Sequence, residues 1–83
     1  MRIDAITEAA AEYGFDPVIV HGYAHTLLFE RPNVAGWIIV SPLDKGPRRR
    51  LTHAGTEITH RDPVAALHAL MALCGIARVE VQV

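Results

Sequence analysis

Five histidines (His21, His25, His53, His60 and His68) and one cysteine, Cys74, are the residues of this chain that could hold a metal or move a proton. His21 and His25 stand four apart, a ligand spacing on a helix, but Val18-Ile19-Val20 and Gly22 around them read as strand. Four residues of strand cover about 13 Å, too far for two nitrogens to share an ion at about 2 Å each. His53 and His60 fall at opposite ends of an expected hairpin, separated by a similar distance. No metal site is expected, and the histidines read as surface or edge residues. Cys74 and His68 share a helix six residues apart and point to different sides, so they form no local thiol–imidazole pair. Cys74 falls in register with Leu67, Leu70 and Met71 and reads as a small buried hydrophobe. Gly46 and Gly55 are isolated, Lys45-Gly46 lacks a phosphate-loop pattern, and no serine sits in a nucleophile elbow. The expectation is no catalysis and no cofactor.

The remaining chemistry is cationic. Arg48, Arg49 and Arg50 are consecutive, with Lys45 and Arg61 near. Strand alternation sends Arg48 and Arg50 to one face and Arg49 to the other. Three uses fit such a cluster. It can protect a sheet edge from aggregation, contact phosphate, or dock onto an acidic protein surface.

The elements that must position these residues follow from periodicity and turn chemistry. Residues 2–13 read as a helix with Ile3, Ile6, Ala10 and Tyr13 inward and Asp4, Glu8 and Glu12 on a solvated face. Gly14 stops it, and Phe15 can fold back on the last turn. Strands are expected over residues 18–20, 26–30 and 34–41, the last around Trp37-Ile38-Ile39-Val40. Their apolar residues do not alternate cleanly, which suits strands covered on both faces. Two helices cover one face and leave the other for another subunit. Residues 42–47 read as a polar loop, and residues 48–60 as a hairpin turning at Ala54-Gly55. That turn places His53 opposite Thr56, Leu51 opposite Ile58 and Arg50 opposite Thr59. Arg48, Arg50, Thr52, Glu57, Thr59 and Arg61 then share the outer face.

A second helix is written over residues 63–74. Asp62 can accept from the first N–H groups, Pro63 suits the first helical position, and Gly75 supplies the left-handed stop. Only His68 is polar between these caps, so the helix is apolar or small nearly all round. Residues 77–83 alternate Val79, Val81 and Val83 with polar residues and read as a final strand. The expectation is one α+β domain over residues 1–83, two-layered, with two helices on an antiparallel sheet in the order α-β-β-β-(β-β)-α-β. Its core should include Ile6, Phe29, Ile39, Leu51, Ile58, Leu67, Leu70 and Val81.

Composition bounds the function. Eighty-three residues make one core. The chain is 51% hydrophobic with a mean hydropathy of +0.21, high for so small a surface-rich chain. A homodimer or partner interface would relieve that, with Trp37 and the weakly polar face of the second helix as contacts. Eight basic and nine acidic residues give a net charge of -1, which weighs against a general nucleic-acid binder. One cysteine and no disulfide favour a reducing, cytoplasmic setting. No stretch is apolar enough for a membrane span, and the opening Met1-Arg2-Ile3-Asp4 has no signal-like apolar run.

Two function classes follow. The first is a non-enzymatic protein-binding module, an inhibitor or modulator, with Trp37, Arg48, Arg49, Arg50, Arg61 and His68 as contact residues. The second is an RNA- or DNA-binding domain using Arg48 to Arg50. The helix–sheet–helix order loosely resembles a double-stranded-RNA-binding domain, and Gly46-Pro47 resembles that family's Gly-Pro loop. The family opens its second helix with phosphate-gripping lysines, whereas this chain has Asp62-Pro63-Val64-Ala65-Ala66, and too few residues separate Gly46-Pro47 from the helix. The short sheet followed by an Ala/Leu-rich helix is similar in the same loose sense to antitoxin domains. It is also similar to the small accessory proteins of phages and mobile elements, a likeness that implies a surface made for a partner.

Overall fold

The computed structural model describes residues 3–18, 26–43 and 46–79. The elements are α1 (Ile3–Ala11), β1 (Asp16–Val18), β2 (Leu27–Glu30), β3 (Ile38–Pro42), β4 (Arg49–His53), β5 (Thr56–His60) and α2 (Pro63–Leu73). The strands form one antiparallel meander, each beside its neighbour in sequence, with β1 and β5 at the edges. This is the two-layer α+β architecture that the sequence pattern predicts.

The two helices end by the same device. Phe15 N–H donates to Ala10 O (3.1 Å) and Gly14 N–H to Ala11 O (2.9 Å); Ile76 N–H donates to Met71 O (2.9 Å) and Gly75 N–H to Ala72 O (3.2 Å). These paired bonds satisfy carbonyls that the last turn leaves open. They need a left-handed residue, and Gly14 and Gly75 supply it at φ 82° and 71°. The apolar residue beyond each glycine is folded back: Phe15 is fully buried, and Ile76 packs against the core.

Register decides which strand residues meet the helices. Leu27, Val40, Leu51 and Ile58 lie side by side across the sheet, as do Phe29 and Ile38. These rows face Ile6, Ala9 and Ala10 of α1 and Ala66, Leu67, Leu70 and Met71 of α2 in a single core cluster. The alternate row, Val18–Leu28–Ile39–Thr52–Glu57, faces away from the helices. That face carries Val18, Leu28 and Ile39 over β1–β3, flanked by Asp16, Glu30 and Ser41, and is polar over β4–β5.

Several expectations shift. β1 begins at Asp16, two residues earlier than predicted, and residues 19 and 20 lie outside the described residues. β3 begins at Ile38 rather than Val34, because Asn33 (φ 66°) and Gly36 (φ 89°) keep the backbone turning. Within Ile38-Ile39-Val40, Ile38 and Val40 are inward, so Ile39 is a half-buried residue of the other face rather than core. Ile58 is half-buried, packed against the edge of the core. The expected last strand does not form over residues 77–79, where Val79 N–H instead donates to Glu12 O (2.8 Å). Val81 falls outside the described residues, as do His21, His25 and Lys45. The β4–β5 register is as predicted: His53↔Thr56, Leu51↔Ile58 and Arg50↔Thr59, around a turn with Ala54 at φ 47° and Gly55 at φ 85°.

Candidate functional site

The structure separates the residues singled out by type into three places. The first is basic and lies at the foot of α2. β4 starts at Arg49 opposite His60, the end of β5, so the loop before β4 and the link into α2 are neighbours. Two adjoining depressions open there. One, of about 450 Å³, is lined by Leu43, Gly46, Pro47, Arg48 and Arg61. The other, of about 500 Å³, is lined by Ala5, Pro47, Arg49, Arg61, Asp62, Pro63 and Val64. Arg61 and Pro47 belong to both.

Three arginines thus converge: Arg48, Arg49 and Arg61. Arg49 is held by its own loop, donating through Nη1 to Gly46 O (3.1 Å) and Arg48 O (3.0 Å). None of the three forms an ion pair among the described residues. Among the described residues the one carboxylate on the rim, Asp62, is committed to the helix, accepting from Val64 N–H (3.0 Å) and Ala65 N–H (3.3 Å). His60 Nδ1 accepts from Asp62 N–H (2.8 Å) and fixes the approach to that cap.

Arg50 does not join them. It stands on the sheet face away from the helices, with Nε 3.4 Å from Glu57 Oε1. Alternation groups Arg48 and Arg61 with Arg50, but Arg48 precedes β4 and Arg61 follows β5, so strand alternation binds neither.

The second place holds His68. Tyr13 Oη lies 2.7 Å from His68 Nδ1, His68 Nε2 lies 3.8 Å from Glu12 Oε2, and Glu12 Oε1 lies 3.3 Å from Arg78 Nε. The Arg78 guanidinium sits 5.8 Å from the Tyr13 ring centre, and Arg31 Nη1 donates to Tyr13 O (3.0 Å). A Tyr–His–Glu chain has the composition of a proton relay. Here Tyr13 is 6% exposed and borders neither depression, so the chain acts as a clasp joining α1, α2 and residues 78–79. His68, expected at a partner surface, faces α1 instead.

The third place holds Trp37, 46% exposed just before β3. Gly36 lies against the β4–β5 turn, where an added Cβ would sit 3.5 Å from Ala54 N. The arginines stand at the other end of β4, five residues of strand away, about 13 Å by the rise of a strand. Trp37 and the arginines therefore belong to opposite ends of the sheet.

His53 departs from the surface role expected of it. It is 4% exposed, meets Phe15 edge-on (centroids 5.8 Å apart, 89° between planes), and neither ring nitrogen has a hydrogen-bond partner. Its signal was present in the sequence: the alternation that sends Leu51 inward sends His53 inward too. Cys74, expected to be buried, is half-buried just beyond the end of α2, its Sγ 3.9 Å from His53 O. Among the described residues, no group of three or more His, Cys, Asp or Glu side chains is placed to hold a metal ion, and no helix is long and apolar enough to cross a membrane.

No protein-family model, curated protein or solved structure matches the chain.

Proposed function

We propose that the chain is a small non-enzymatic protein-binding module, an inhibitor or modulator working in a cytoplasmic setting, that docks onto an acidic protein surface through Arg48, Arg49 and Arg61. The observation that carries this reading is the convergence of those three arginines on two adjoining depressions, with no ion pair among the described residues. Like charges gathered in this way repel one another, and an anionic partner relieves the repulsion. Guanidinium groups suit the task because their planar forks meet carboxylates with two hydrogen bonds. The single half-exposed Cys74, with no disulfide, suits a reducing compartment. The compact form without a catalytic motif is what the likeness to accessory proteins of phages and mobile elements implies.

Phosphate is the competing anion, and the same three arginines favour it. The net charge of -1, unlike the basic balance usual for a nucleic-acid binder, weighs toward protein. Capture from host lysate, with and without nuclease, decides between them. The expected result is a captured protein that survives nuclease, associates more slowly as salt rises, and is lost with the Arg48→Glu/Arg61→Glu variant. Material that vanishes with nuclease replaces this reading with the nucleic-acid one. Equal capture by the charge-reversed variant removes the arginines from the interface.

A further inference from the structure

The two edges of the sheet are unlike. Among the described residues β1 spans three residues, and it contains Pro17, which has no N–H to offer another strand. β5 is five residues long, contains no proline, and pairs with β4 along its whole length. Among the described residues nothing pairs with its other side. An uncovered regular edge is a template for another strand. Its hydrogen-bonding groups can be assigned from the turn. A two-residue loop makes its flanking residues a hydrogen-bonded pair, here His53 and Thr56. Alternation then turns Thr56, Ile58 and His60 toward β4, and leaves the N–H and C=O of Glu57 and Thr59 pointing outward.

The helix above this edge is equally open. α2 packs on β4 and β5 about equally, so its axis runs above the line between them. His68 marks its α1 side through Tyr13. Ala69 and Leu73 lie about 100° and 140° around the helix from His68, on the flank above the outer side of β5. Both are exposed, Leu73 at 68%. The middle of α2 is level with the middle of β5, because the helix starts beside His60 and ends with Cys74 against His53, opposite Thr56.

We propose that β5 and the Ala69–Leu73 flank of α2 form the interface for a second copy of this chain, paired antiparallel about a two-fold axis through Ile58. That register overlaps all five residues of β5. It sets Glu57 opposite Thr59 of the second copy, and each such pair exchanges both of its outward-pointing backbone bonds. Neighbouring strands are about 4.8 Å apart, so helices each centred over their own β4–β5 line come to lie about 10 Å apart. That is the normal distance for packed helices and suits small residues at the contact, which Ala69 provides at the two-fold axis. Ile58, half-buried in one chain, is covered by its twin beneath the two helices. On the solvent face Glu57 falls diagonal to Glu57 of the second copy, where both side chains reach water. No like charges stand directly opposite.

Sedimentation equilibrium at millimolar concentration tests the interface. The expected mass is twice the 9.1 kDa of one chain. Thr59→Pro removes an outward N–H and no bond to β4, so the variant should fold and sediment as a monomer. Ala69→Arg, at an exposed helix position, should do the same by wedging the helices apart. Trp37→Ala, just before β3 and two strands in from the paired edge, should remain a dimer. A parent of 9.1 kDa overturns the proposal, as does a dimer that survives both Thr59→Pro and Ala69→Arg, or one that Trp37→Ala dissolves.

Discussion

The helices α1 and α2 lie side by side on one sheet face and end in the same hydrogen-bonded motif, yet they hide themselves to different degrees. α1 buries Ile6, Ala9 and Ala10 and turns Glu8 to solvent, with Glu12 on the surface just beyond it. α2 buries Pro63, Ala66, Leu67, Leu70 and Met71 and turns outward Ala65, Ala69, Ala72 and Leu73, none of them charged. An amphipathic helix needs only the core it covers. A helix apolar on both sides has been left free of charge on its outer face, which suits a second contact. That difference is what the proposed self-association through α2 rests on.

The largest effect that probes this contrast is on the inner side of α2. Leu70 is fully buried, and Leu70→Ala should cost about 2–5 kcal/mol through lost burial and the cavity left behind. Stability of a small domain is of that order, so urea denaturation should show a variant partly or wholly unfolded. Ile6→Ala on α1 should be comparable, since Ile6 is also fully buried. A Leu70→Ala protein with the parent's denaturation midpoint would mean that the inner face of α2 is not the one named here.

The start of α2 comes next. Asp62 satisfies two N–H groups that are otherwise open, and Asp62→Ala should cost about 1 kcal/mol, within a range of roughly 0.5–2. Asp62→Asn keeps an acceptor at the cap and should recover most of that loss in the same denaturation experiment. Equal losses for both variants would assign the effect to charge rather than to capping.

How much of this was legible in the sequence depended on how many rules agreed at each residue. At Asp62-Pro63 and Gly75, capping chemistry and backbone preference point the same way, and α2 falls within one residue of its expected end. At Ala54-Gly55, turn geometry and the inward alternation of Leu51 and Ile58 coincide, so the β4–β5 register could be written pair by pair. At Ile38-Ile39-Val40 three apolar residues leave the alternation undetermined, and Ile39 is assigned to the wrong face. The arginines show the limit more sharply. Their grouping follows from the routes of two loops, before β4 and after β5, and no periodicity governs loops. His53 is readable by parity, since it shares the inward row with Leu51, but the histidine residue type points to the surface.

A slightly smaller effect should come from the clasp between the helices. Tyr13→Phe removes the hydroxyl 2.7 Å from His68 Nδ1 and keeps the ring in place. A net hydrogen bond contributes about 0.5–1.5 kcal/mol, and the half-exposed His68 can take up water in exchange. A double-mutant cycle with His68→Ala should return a coupling in that range. A coupling near zero would mean that the Tyr13 hydroxyl contributes nothing to this contact and would leave its polar part to the approach of Glu12 to His68.

The smallest effect separates the outer faces themselves. Glu8→Lys on α1 and Ala69→Lys on α2 both place a good helix former at an exposed position, so in dilute solution each should lie within about 0.5 kcal/mol of the parent. Raising the protein concentration should then split them. A partner that binds only the folded chain raises its melting temperature by mass action. Glu8→Lys should follow the parent upward, because the α1 face meets solvent at every concentration. Ala69→Lys should stay flat, because a charge on that flank keeps a second helix from closing to packing distance. Melting curves over a hundredfold concentration range are sufficient to see this. Parallel behaviour of the two variants would erase the distinction between the helices, and a flat Glu8→Lys with a rising Ala69→Lys would reverse it, placing the neighbour on α1.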